Sequence, residues 1–227
     1  MLRFIDHHQD RPLVIVPGWA FDHRIFAALG GPYDYHIFKG PSMAHLAGAA
    51  ERLVSEFDGR KVSLLGWSKG AFAACAYAGR HPELVDELFL VGARPSYGAE
   101  ELEQMQENLR KNKTACLKGF YRRCFAREET QRYRWFKDTL QESYLETTST
   151  ERLTHDLDWL GQVTIEPEAI RPVEKIKFVH GAADAIAPLE QARALAEALP
   201  QSQLITFERT GHIPFLRDDF WRRVHES

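Results

Sequence analysis

Short apolar, β-branched runs recur along the chain: LVIVPG (13–18), YHIFKG (35–40), KVSLLG (61–66), ELFLVG (87–92), IKFVHG (176–181) and QLITFE (203–208), five of the six ending in glycine. Runs that are apolar at consecutive positions read as strands buried on both faces, and such strands alternating with helical patterns require crossover connections and a mostly parallel sheet. Helices are expected near 22–29, 42–57, 69–80, 188–199 and 214–225, and LRFID near the amino terminus offers an edge strand. The rhythm breaks once, between Gly92 and Ile176, where no convincing strand occurs. The expected fold class is therefore α/β, a mostly parallel central sheet flanked by helices, with a core of residues 1–94 and 173–227 and an inserted helical cap, 95–172. At 227 residues, 44% of them apolar, the chain can bury one such core but not two independent ones.

The stretch SLLGWSKGAFAA, Ser63 to Ala74, boxes one serine between two glycines where a strand pattern gives way to a helical one. A serine hydroxyl is a weak nucleophile until a base takes its proton and donors await the oxyanion. A sharp strand-to-helix turn presents such a serine, and its strained backbone crowds the neighbours, so Gly66 and Gly70 remove side chains that would clash. Ser68 is the candidate nucleophile; the competing reading is a helix cap.

The base should be a histidine late in the chain and the orienting acid should follow another strand. Asp184 lies three residues beyond Gly181, and His212 follows the run QLITFE and a glycine. A carboxylate there would hold the imidazole in the tautomer that accepts the serine proton. Asp86, before the run at 87–92, is the alternative acid, and His180, inside a strand pattern, reads as a core histidine. Oxyanion donors are expected from the backbone N–H of Lys69, after the nucleophile, and of Trp19, in the first strand-to-helix loop. Neither His7–His8 nor the three cysteines, which lack CxxC spacing, makes a metal site or a disulfide framework. No metal or cofactor is expected.

The formal charge of −3 conceals an asymmetry: residues 110–137 hold ten basic side chains and two acidic ones, +8 in all, which leaves −11 on the remainder. On a helix drawn through this segment Leu117, Phe120, Tyr121, Cys124 and Phe125 share one arc, while Lys118, Arg122, Arg123 and Arg127 take the other. A cationic cap on an acidic body can steer an acidic partner. Six aromatic residues, Phe120, Tyr121, Phe125, Tyr133, Trp135 and Phe136, either line an apolar passage or fill the helix packing. No nucleic-acid motif accompanies the basic segment. No apolar run approaches the ~18 residues of a membrane span, and the amino terminus is charged within six residues, which points to a cytoplasmic protein without membrane contact.

With PGWAFDHRIF, LGWSKG, HGAADAIAP and GHIPF in that order, the chain resembles the α/β-hydrolase superfamily over essentially its whole length. The pair GW after the first strong strand, together with LGWS, is similar to the esterases that demethylate pimeloyl acyl-carrier-protein methyl ester in biotin synthesis. The resemblance implies Ser68 as nucleophile, His212 as base, Asp184 as orienting acid, and Trp19 with Lys69 as oxyanion donors. It also implies an acyl carrier protein as partner, met by basic cap residues; here Arg110, Lys118, Arg122, Arg123 and Arg127 are the candidates. Pro17 departs from a position where that family usually has histidine, and Lys69 replaces a residue more often Leu, Met or Gln, a change bearing on substrate charge preference. Two other functions fit the same residues: a broad short-chain carboxylesterase or thioesterase, and a non-catalytic small-molecule receptor on the same fold.

Overall fold

The computed structural model describes residues 2–39 and 57–226. Seven strands form one sheet, β1 (Leu2–Ile5), β2 (Pro12–Val16), β3 (Asp34–Phe38), β4 (Val62–Trp67), β5 (Val85–Val91), β6 (Ile176–Gly181) and β7 (Ser202–Phe207), in the order β1-β3-β2-β4-β5-β6-β7. Only β1 runs antiparallel, against β3; the other neighbours are parallel. The apolar runs explain the arrangement. Every residue of β4 is buried and all but one in each of β2, β5 and β6, whereas the edge strand β1 has no fully buried residue and β7 only two. Strands covered on both faces belong in the middle of a parallel sheet.

Helix α1 (Lys69–Arg80) follows β4 and packs on β2, β4 and β5. Its alanines allow a close approach, and at Gly70 an added Cβ would lie 2.0 Å from the Val16 carbonyl oxygen, so β2 and the first turn of α1 touch through backbone alone. Between β5 and β6 the described elements are helical: α2 (Ala99–Arg123), α3 (Thr130–Phe136), a π-helical turn (Lys137–Gln141), α4 (Glu142–Thr147), α5 (Thr150–Leu160) and the short α6 (Pro167–Ile170). Helix α2 is two helices joined at Asn112, whose φ and ψ leave the helical region and whose side chain accepts from the Ala115 N–H, capping the second half.

This helical layer is fastened to the sheet by an aromatic cluster. The ring of Phe21 lies 4.8 Å from Trp67, 5.1 Å from Tyr121, 5.4 Å from Tyr144 and 5.9 Å from Phe136, centroid to centroid. Polar contacts flank it: Tyr121 donates to the Ala20 carbonyl, and Arg24 stacks on Tyr144 while its guanidinium reaches Ser143 and Thr147.

Two expected helices differ. Residues 22–29 give only a 3-10 turn, His23–Phe26, capped by Asp22, because Gly30-Gly31-Pro32 follows about a turn later and breaks the helical path. Residues 214–225 divide into a 3-10 turn, Pro214–Leu216, and α8 (Phe220–Glu226), because Arg217 is extended and chelates Asp219. Helix α7 (Leu189–Glu197) begins after Pro188 as its pattern suggests. The helix expected at 42–57 lies, except for its last residue, outside the described residues.

The Gly70 contact gives a direct test. Gly70→Ala places a methyl group against backbone that cannot move without separating β2 from α1, so a loss of at least ~2 kcal/mol is expected, read as a lower denaturant midpoint in far-ultraviolet circular dichroism.

Candidate active site

Ser68 occupies the turn between β4 and α1 with φ 55° and ψ −118°. A residue with a side chain held there stores about 1–3 kcal/mol of strain, which persists only where surroundings over-determine it. They do so here: the Ser68 N–H donates to the Val91 carbonyl at 2.8 Å, its carbonyl accepts from Ala71 at 2.9 Å, and Gly66 leaves no room for a Cβ, which would meet the Ala71 Cα at 2.6 Å. On the other side Gly18 lies so close that its missing Cβ would be 3.3 Å from the Ser68 Cβ. The Gly18–Trp19 backbone therefore runs alongside the serine. The Trp19 indole closes over it, donating to the Leu153 carbonyl of α5 and meeting Phe120 edge-on at 4.8 Å.

The loops after β6 and β7 bring Asp184 and His212 together. His212 Nδ1 lies 2.6 Å from Asp184 Oδ2, with both side chains buried. The second oxygen, Oδ1, accepts from the Ile186 and Ala187 N–H groups at 2.8 and 2.9 Å. Burial alone would raise the Asp184 pKa, but the imidazole and these N–H groups outweigh it and hold the carboxyl below its ordinary range. The carboxylate thus fixes the proton on Nδ1 and leaves Nε2 as the basic nitrogen. The imidazole stands at the end of β5, where Gly92, at φ 55°, leaves the space it fills; a Cβ there would be 2.8 Å from Cε1. Trp67 Nε1 donates to the His212 carbonyl at 2.8 Å.

The helical layer grips the same loop. The Cys124 carbonyl accepts from the His212 N–H at 2.8 Å, and the buried Glu129 carboxylate accepts from both Ala126 and Gly211 N–H groups at 2.9 and 2.8 Å. His212 Nε2 is buried and has no hydrogen-bond partner among the described residues. The Ser68 Oγ lies 3.4 Å from the Tyr97 hydroxyl instead. Asp184 and His212 are joined in this structure, then, and the serine stands beside them without a hydrogen bond to the imidazole. His180 is a core histidine: its Nε2 bonds the Ala187 carbonyl, and burial depresses its pKa. Asp86 sits at the opposite end of β5, half-exposed and paired with Lys175.

A narrow cavity of ≈ 40 Å³ opens above Ser68 and Trp19, walled by Leu102, Met105, Leu157, Leu160 and Ile186, with Glu101 and Arg123 among its polar residues. Of the six aromatic residues that the sequence leaves open to passage lining or helix packing, Phe120 lines the cavity. Tyr121 and Phe136 join the Phe21 cluster, Phe125 is packed against Tyr133 and Phe136, and Trp135 borders a separate surface groove with Arg132 and Asp218. Lys69 does not present its charge to the cavity. Its ammonium is buried 2.6 Å from Asp156 of α5, and although Asp156 favours the charged form, burial prevails and lowers the lysine pKa. Arg110, Lys118, Arg123 and Arg127 are exposed; Arg122 is half-buried, its guanidinium over the Tyr133 ring and bonded to the Phe125 carbonyl. Tyr97, Asp156 and Glu129 carry no motif. Only the position of Tyr97, in the loop beyond a strand's carboxyl end where sites on open α/β sheets gather, offered a signal.

This fold, with a strained serine after a central strand and an Asp–His pair at the same sheet end, defines a class. Residues 19–219 match the model of the alpha/beta hydrolase fold family, and the chain belongs to that family. Among its relatives, the pimeloyl-[acyl-carrier protein] methyl ester esterase of Nitrosomonas europaea is 28% identical over 90% of this chain and 89% of that protein. The protein of the same name from Chromobacterium violaceum is 27% identical over 96% and 94%. Two solved structures share the fold: an esterase from Exiguobacterium antarcticum (TM-score 0.83, 22% identity, 99% of this chain and 93% of that one) and the enol-lactonase of Burkholderia xenovorans (0.83, 15%, 99% and 95%).

The buried ion pair between core and helical layer is separable from the chemistry. Lys69→Met strips Asp156 of this ammonium and is expected to cost about 3 kcal/mol, most of it recovered in Lys69→Met/Asp156→Leu, as thermal melts of the single and double variants would show.

Proposed function

We propose that the chain is a serine carboxylesterase that hydrolyses the methyl ester of pimeloyl-acyl carrier protein. The observation that carries this reading is the buried His212–Asp184 pair at the carboxyl end of the sheet beside a serine held at positive φ. The names of the relatives, and a basic helical face over the cavity, favour the carrier-bound substrate.

In this mechanism the Ser68 hydroxyl turns from Tyr97 toward His212, gives its proton to Nε2 and attacks the ester carbonyl carbon. The oxyanion accepts hydrogen bonds from the backbone N–H groups of Trp19 and Lys69, a stabilisation worth several kcal/mol in a site shielded from water. The carbon–methoxy bond breaks, the imidazolium returns its proton to the departing oxygen, and methanol leaves. A water deprotonated by His212 then releases the acid from the acyl-enzyme. The helices between 95 and 172 act as a cap over the mostly apolar cavity that receives the acyl chain. Arg110, Lys118, Arg122, Arg123 and Arg127 meet the carboxylates of the carrier and the phosphate of its prosthetic arm. The free thiols Cys75, Cys116 and Cys124 fit a cytoplasmic setting.

Incubation with carrier-bound methyl pimelate should lower its mass by the equivalent of one CH2 in mass spectrometry, the ester methyl being replaced by hydrogen while the acyl chain keeps its length. Ser68→Ala should lower that rate at least ~10³-fold and abolish labelling by a fluorophosphonate; full activity in this variant would refute the assignment, and labelling without demethylation would favour a broad short-chain esterase. Lys118→Glu/Arg127→Glu should slow turnover of the carrier-bound ester about tenfold at low salt and leave a small chromogenic ester unaffected. Equal effects on both esters would remove the carrier from the proposal.

A further inference from the structure

Tyr97 places its hydroxyl within hydrogen-bond reach of the Ser68 hydroxyl, and the motifs assign it no role. Its hydroxyl lies 3.4 Å from Ser68 Oγ on the wall of the cavity. The ring cannot swing freely, because the Arg94 guanidinium covers it at 4.3 Å and is itself bonded to the Ser96 and Ile186 carbonyls and to Glu101. Burial raises the phenol to about 12, so it remains a neutral hydrogen-bond donor across the range in which an esterase works.

The sheet order decides what this donor faces. Ser68 follows β4, which lies between β2 and β5. The Gly18–Trp19 backbone follows β2, on one flank. Tyr97 follows β5, on the other, where the His212 imidazole also rests against Gly92. A tetrahedral carbon on Ser68 Oγ that turns its oxyanion toward the β2 flank has its acyl chain and its alkoxy oxygen left to place, and the alkoxy oxygen takes the β5 flank because the imidazole that must protonate it stands there. We infer that Tyr97 is a catalytic residue that donates a hydrogen bond to the alkoxy oxygen of the bound ester as it departs, adapting the site to esters of poor leaving groups such as methanol.

The inference rests on the proposed ester hydrolysis with Ser68 as nucleophile. The bonds balance without Tyr97 losing its proton: the carbon–oxygen bond breaks with its electron pair passing to the alkoxy oxygen, the His212 imidazolium supplies the proton, and the phenol stabilises the developing negative charge. A poor leaving group carries more of that charge in the transition state and gains more from the donor than a nitrophenolate does. The resting contact with Ser68 is then the place the alkoxy oxygen takes over.

The experiment compares kcat/KM for the methyl and p-nitrophenyl esters of one short acid, in the full chain and in Tyr97→Phe, which keeps the ring beneath Arg94. One hydrogen bond to a charged atom corresponds to a fall of about tenfold in the methyl-to-nitrophenyl ratio, and the wild-type protein should show a shallower dependence of kcat/KM on leaving-group pKa than the variant across a series of esters. Equal losses on both esters, including the loss expected of a misfolded variant, would overturn the assignment, as would an unchanged ratio. The slope measured on wild type stands as a second check: a steep one contradicts a donor at the leaving group. Ser68→Ala, run alongside, separates the two ideas, because residual turnover there defeats the nucleophile assignment whatever Tyr97 does.

Discussion

Most of what surrounds the candidate site follows from one backbone constraint, the left-handed conformation of Ser68. A serine there is unfavourable by itself, and nothing local relieves it. Its conformation is imposed by hydrogen bonds to the end of β5 and the start of α1, and by the absence of side chains at Gly66 and Gly70. Each of those conditions is a condition on packing: β2 can approach Ser68 only because Gly70 lets its backbone touch α1, and α1 can lie on the sheet only because alanines follow. The strain is thus distributed over three strands and a helix, and the turn is as rigid as the core that holds it.

The His212 loop is held differently. The turn around Ser68 is braced from beneath by the sheet, whereas the His212 loop, tied to the sheet through Trp67, is also braced from above by the helical layer, through Cys124, Glu129 and the close approach of Gly211 to the same segment. Two more ties, Lys69 to Asp156 and Trp19 to Leu153, join α5 to residues flanking the serine. The layer above the cavity is therefore part of the machinery that positions the site.

Much of this was legible in the sequence, and the unread part has a common cause. The apolar runs locate the strands because a strand buried on both faces leaves its mark on every residue, and the turn around Ser68 is readable because its constraints lie within a few positions. Long-range pairing is not encoded that way. Asp156 meets a partner 87 residues away and Glu129 one 82 away, and no local pattern distinguishes them from surface acids. The amphipathic arc at 117–125 correctly separates a buried face from a charged one, but periodicity says only that a face is buried, not against what. Phe120 therefore reaches the cavity while Tyr121 fills the seam with Phe21, and Arg122, read with the charged face, is drawn onto Tyr133.

The distribution of charge links these observations to specificity. Inside, the lysine beside Ser68 is matched by Asp156, and the cavity wall is mostly apolar. Outside, the exposed basic residues of α2 and its neighbours stand on a body of opposite net charge. A charge desolvated within the site would have to be matched again for every substrate, at a cost of several kcal/mol where the match failed. An exposed charge selects a partner through long-range attraction and is screened once contact is made. On the proposed function, this separation assigns the choice of partner to the surface and the choice of bond to the apolar cavity and the backbone around Ser68.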